Sequence, residues 1–263
     1  MSVGIGNRNT SLSPPQRTPK PFVYPSSDGK RMAENTEQFN EIVRLKENFE
    51  ILYEDDPNVF VAGDLLWYPV ERDIKIRQAP DTMIAFGRPK GYRGSYVQCQ
   101  EGGIAPQVVF EVLSPGNRKG EMQRKLEFYE RYGVEEYYVY DPDRGRLRVW
   151  LRQDDQLGEH KLENGVWTSP RTHVRMDITS GKLRCWQPNG EPFRSMQEFN
   201  ALKRDAQAAN TQLQTANTQL QTANTHLQSE NAQLQAEKER TDAQTARLKA
   251  LLKAAGIDPD AIA

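Results

Sequence analysis

Apolar residues at helical spacing mark the first element of the chain. In TEQFNEIVRLKENFEILY, Phe39, Ile42, Val43, Leu45, Phe49 and Leu52 fall mainly on one face, and Asn35 supplies a capping side chain. The spacing predicts an amphipathic helix laid against a sheet. Alternation then replaces it: VFVAGDLLWYPV (59–70) reads as one strand ending near Pro69, and PDTMIAF (80–86) as a second, opened by a proline that a first strand position tolerates. QVVFEVLSP (107–115) is apolar nearly throughout, which predicts a central strand, and Pro115-Gly116 stops it. From about Lys119 to Tyr132 the helical period returns, with Met122, Leu126, Tyr129 and Tyr132 on a stripe that also holds Lys125; Gly133 ends it. EEYYVYDPD (135–143) and RLRVWLR (146–152) read as a fourth and a fifth strand joined by a turn.

Helix, antiparallel strands, then strand–helix–strand predicts an α/β core with a mixed sheet, the 120–133 helix crossing over between parallel strands. The stretches HKLENGVWTSP, VRMDITSGKLRCWQP and EPFRSMQEFNALK predict an appended hairpin and a closing helix over 191–203. Beyond residue 204 a heptad takes over. Leu213, Leu220, Leu227 and Leu234 recur every seven residues, each preceded at three residues by Asn210, Asn217, Asn224 or Asn231. Leucine at d with asparagine at a specifies a weak coiled coil of fixed register, dimerising the chain or binding a partner; the other reading is a solvated helix or an unstructured Gln/Asn/Thr tract. Residues 1–30, rich in Pro, Ser, Gly and Asn, read as a disordered tail. The expected organisation is tail 1–30, α/β domain 31–203 and helical region 204–263.

Composition narrows the function. Net charge is −1 at pH 7, so any affinity for nucleic acid comes from a local patch. Two cysteines without metal-ligand spacing and three scattered histidines give no zinc or disulfide framework. No apolar signal core or membrane-length run is present, which predicts a cytoplasmic protein without membrane association.

The chemistry is concentrated between Pro80 and Asp141. Asp81 heads one strand, Glu111 sits inside an otherwise apolar one, and Lys125 lies on the inward stripe of the following helix. An ionised group in a segment such as VVFEVL is costly unless it is paired or bound to a cation. Two carboxylates from adjacent strands suit magnesium or manganese, with the backbone carbonyl of Val112 as a third ligand and Asp64 as either a supporting carboxylate or a strand-edge acid beside Gly63. A lysine amine there would orient or deprotonate an attacking water and stabilise charge growing on a phosphate. Gln107 shares the face of Glu111 and either helps position water or marks the start of the strand. Glu121 is spaced to pair with Lys125, and Tyr129 reads as core more readily than as chemistry. The glycine-rich loop 87–103 carries Arg88, Lys90 and Arg93 among tyrosines, a pattern that suits nucleic-acid phosphates and equally an ordinary solvated loop.

These residues resemble a known family. PD, about thirty residues, then an apolar strand with Glu looks like the PD-(D/E)XK restriction-endonuclease-like superfamily; EVLSP, K-x3-Y, GVEEYY and DP are similar to the Uma-type endonucleases, over roughly residues 30–155. The resemblance implies a restriction-endonuclease-like mixed sheet flanked by helices, with DNA as substrate and Asp81 and Glu111 as ligands of Mg2+ or Mn2+. It also exposes a departure: the lysine expected two residues after the glutamate is Leu113, so Lys125 would have to replace it. Three functions follow: a metal-dependent endonuclease, a non-catalytic nuclease-like protein that recruits a partner through its C-terminal helix, or a nucleic-acid binder without cleavage.

Overall fold

The structure is a computed structural model that describes residues 22–29, 31–116 and 119–256. Most of the predicted tail, residues 1–21 and 30, lies outside them. Helix α1 (Thr36–Leu52) starts where the sequence places it, with the Asn35 side chain accepting from the Gln38 N–H at 2.8 Å. Ile42, Leu45 and Phe49 are buried, but Phe39 is 45% exposed, because the buried stripe passes instead through Gln38 and Asn48.

The apolar run after α1 is not one strand. β1 (Val59–Ala62) ends at Gly63-Asp64, where Asp64 adopts φ 49°, and β2 (Trp67–Tyr68) leaves in a different sheet. The turn is tight: a Cβ on Gly63 would stand 3.3 Å from the carbonyl oxygen of Asp81. Alternating faces over 59–70 therefore fail as a guide, and all four β1 residues are buried because both faces of the sheet are covered. β3 (Thr82–Phe86), β4 (Tyr96–Val97) and β5 (Val108–Val112) follow, with β4 pairing β2 in parallel. Helix α2 (Lys119–Tyr132) then carries the chain to β6 (Glu136–Asp141), which pairs β5 in parallel as a crossover requires. β7 (Arg146–Gln153) and β8 (Gln156–His160) complete a six-stranded mixed sheet of order β1-β3-β5-β6-β7-β8.

Even-numbered residues of the central strands point to one side and odd-numbered ones to the other. Phe110, Val112, Tyr138 and Tyr140 pack with Ile42, Leu45 and Phe49 of α1; Val109, Tyr137 and Val139 pack with Tyr129 of α2. Glu111 thus belongs to the α2 face. The expected hairpin is a three-stranded antiparallel sheet, β9 (Val166–Thr168), β10 (Arg175–Asp177) and β11 (Arg184–Trp186), while β8 joins the main sheet instead. The small sheet is fastened to β6 through Glu136, a buried carboxylate that accepts from Tyr138 Oη, Ser169 Oγ and the Arg171 N–H at 2.5–2.6 Å.

The first compact unit ends at Ser195 and the second begins at Met196. No separate closing helix forms over 191–203, because Met196 opens one continuous helix, α3 (Met196–Ala254), of 59 residues. None of its residues is buried, and Leu213, Leu220, Leu227 and Leu234 are 54–64% exposed. Among the described residues, no helix is long and apolar enough to cross a membrane.

Candidate active site

Strand register brings the two acids together. β3 and β5 run antiparallel with Thr82 opposite Phe110, so the next rung sets Asp81 opposite Glu111. At that rung the ladder changes character: Asp81 Oδ2, rather than a backbone carbonyl, accepts the Val112 N–H at 2.6 Å. Both carboxylates are withdrawn from solvent, Asp81 to 7% and Glu111 to 2% exposure.

Helix α2 supplies the counter-groups from a single face. Lys125 Nζ donates to Glu111 Oε2 at 2.7 Å, and one turn later Tyr129 Oη donates to Glu111 Oε1 at 2.5 Å. Spacing i, i+4 is what lets two side chains of one helix take the two oxygens of one carboxylate. Tyr129 is fully buried and stacked on Trp67, with 3° between the rings. Glu121, the expected partner of Lys125, acts on it only through space; the amine goes to Glu111. Leu113, two residues beyond Glu111 on the same side of the strand, packs into the apolar cluster under α2. The amine at this carboxylate therefore comes from the helix and not from position 113 of the strand.

Electrostatics mark the site as short of positive charge. Burial, and then the neighbouring Glu111 charge, push the Asp81 carboxyl well above the usual carboxylate range, although the Val112 N–H and Lys125 oppose this. Burial likewise raises Asp64, with Asp28 and Glu111 adding to it. Burial works against the charge on Lys125, but Glu111 and Asp81 outweigh it and hold the ammonium above its ordinary value. Asp81 opens into a cleft of about 850 Å³ lined also by Asp28, Glu34, Asp64 and Glu121, with Arg31, Arg124 and Lys125 as its cations, while Glu111 lies behind Lys125 and does not line it.

These residues fit a hard cation. Every candidate ligand atom is oxygen, and among the described residues the Lys125 ammonium bonds one of the two buried acids and acts on the other through space. Among the described residues no group of three or more His, Cys, Asp or Glu side chains could hold a metal ion, so a metal here would rest on two carboxylates and a carbonyl. That carbonyl is Val112 O, already accepting from Gln38 Nε2 at 2.8 Å with a second lone pair left over.

Other sequence candidates lie elsewhere. Gln107 is at the far end of β5, where its amide oxygen accepts the Phe86 N–H at 2.7 Å and continues the β3–β5 pairing. Arg88 and Arg93 both pair with Glu101, at 2.9 and 2.6 Å, and the Arg93 guanidinium also lies 3.9 Å from the centre of the Phe60 ring. The hydrogen bond from Arg93 pulls Glu101 below its usual range against the cost of burial, as expected of a built-in loop clamp. Lys90 is exposed. Sequence reasoning missed Gln38, Arg31 and Arg124. Asn-x-x-Gln at a helix start foretells a glutamine oxygen turned back to the upstream backbone, and Gln38 Oε1 does accept the Glu34 N–H; its amide reaching Val112, 74 residues away, has no local signature.

The mixed sheet with paired acids on adjacent strands and an amine on the crossover helix defines a restriction-endonuclease-like α/β protein. The model of the Uma2 family, described as "Putative restriction endonuclease", matches residues 29–179, more than half of the chain, and the chain belongs to that family. Among solved structures it is similar to "a putative nuclease belonging to DUF820 from Anabaena variabilis", with 12% identity and a TM-score of 0.43 over 56% of this chain and 82% of that one. No curated protein matches the sequence.

Proposed function

We propose that this chain is a divalent-metal-dependent endonuclease that hydrolyses DNA phosphodiester bonds. The observation that supports the reading is the contact of Lys125 with Glu111 beside Asp81: the amine that the family pattern expects at position 113 would come from α2. Asp81, Glu111 and the Val112 carbonyl would hold Mg2+ or Mn2+; Asp64, which forms no three-acid metal group with them among the described residues, lines the cleft beside them. Such an ion, when bound, supplies a more acidic water and offsets charge on the phosphate. Gln38 fixes the direction of the Val112 carbonyl, and Tyr129 fixes the plane of Glu111. Lys125 is protonated at neutral pH, because its acidic neighbours raise its pKa; its part is to donate a hydrogen bond to water or phosphate rather than to remove a proton.

The test is nicking of supercoiled plasmid. Activity should require magnesium or manganese and vanish in Glu111→Ala while circular dichroism stays native. Nicking that survives the substitution overturns the assignment.

Two observations favour a second reading, a non-catalytic nuclease-like scaffold: Leu113 in the lysine position and the exposed leucine ridge of α3. That reading predicts no divalent-ion heat in calorimetry together with intact self-association. In either case we take the occupant of the ridge to be a second copy of α3. A parallel pair in register sets asparagine on asparagine in four layers, whereas an antiparallel pair sets amides against leucine.

A further inference from the structure

Building on the endonuclease reading, we infer that Arg31 and Arg124 hold the DNA backbone at the cleft, a role for which the sequence also offers loop 87–103. A phosphate entering this cleft meets five lining carboxylates, Asp28, Glu34, Asp64, Asp81 and Glu121, and is repelled unless cations stand ready for it. Of the three lining cations, Lys125 is committed to Glu111. Among the described residues Arg31 and Arg124 have no ion pair or hydrogen bond, although Glu121 lies one turn from Arg124 and Glu34 three residues from Arg31. Both are exposed, and they come from different elements, the segment before α1 and helix α2.

The loop arginines are in the opposite condition. Arg88 and Arg93 share Glu101, and Arg93 is further bonded to the carbonyls of Pro89 and Gly91. Taking a phosphate would mean breaking charge-assisted bonds already made. A guanidinium without a partner presents its planar fork to a phosphate at no such cost. Two of them bordering the acids that would hold the metal fix the strand by its phosphates on the approach to the scissile bond.

The test is a salt titration of DNA affinity, read by anisotropy of a short fluorescent duplex with calcium in place of magnesium. Each of Arg31→Ala and Arg124→Ala should lower the slope of log K against log salt by about 1, and the double variant by about 2, as expected for lost phosphate contacts. Arg31→Lys and Arg124→Lys should restore the slope, and Arg88→Ala should leave it unchanged. A wild-type slope in the double variant overturns the inference while the endonuclease reading stands, provided that the wild-type protein binds and nicks. So does a double variant that loses calcium binding in calorimetry, since its effect would then run through the metal ligands. Wild-type protein that binds no duplex at all overturns both.

Discussion

Glu111 has a donor on each oxygen, and the two donors have different consequences. Tyr129→Phe leaves one buried oxygen unsatisfied and should lower stability by about 1.5–3 kcal/mol in urea titration, with metal-dependent nicking retained. Lys125→Met removes the ammonium that bonds Glu111 and acts through space on Asp81, so nicking should be lost even where the fold survives. Asp81 gives a pH signature of its own. Its carboxyl holds a proton more tightly in the folded than in the unfolded chain, so its contribution to stability is fully present below the unfolded value near 4 and is lost as pH rises through the raised value. In metal-free protein Asp81→Asn should therefore raise the melting temperature at neutral pH, and the gain should shrink as the solution is acidified. Equal melting curves at all pH values would show that the acid is not strained.

Elements differ in how far the sequence discloses them. α1, α2 and the strands β3, β5, β6 and β7 were legible because a cap, a glycine stop or a run of β-formers marks each of them locally. Lys125 was legible for the same reason: its place on the stripe of α2 follows from period alone. The break at Gly63 was not, because it answers to the approach of the Asp81 carbonyl, a neighbour 18 positions away. Nor was the Glu101 clamp, since residues 8 and 13 apart in a loop share no repeating geometry. α3 carries the clearest repeat in the chain, and its prediction belongs to the helix itself. Leu220→Glu with Leu227→Glu should abolish concentration-dependent association in sedimentation equilibrium. Asn224→Leu should strengthen it and relax its orientation, as replacing a buried polar layer does.

Over the whole molecule the charge is balanced, at −1, and Arg88, Arg93, Arg148 and Arg175 are all paired with acids. Attraction for a polyanion therefore has to come from a local patch rather than from the net charge. The small sheet has a consequence for how far the folding unit extends. The family match stops at residue 179, but Leu183, Cys185 and Phe193 lie in the same cluster as Ile42 and Phe49, Arg44 reaches the Leu183 carbonyl, and Asn48 bonds both ways with Arg194. A fragment trimmed at 179 would uncover the underside of α1, the helix whose Gln38 aims the Val112 carbonyl. Protease digestion should therefore spare the chain through Ser195, and a shorter piece should be cut to peptides and lose its grip on metal with them.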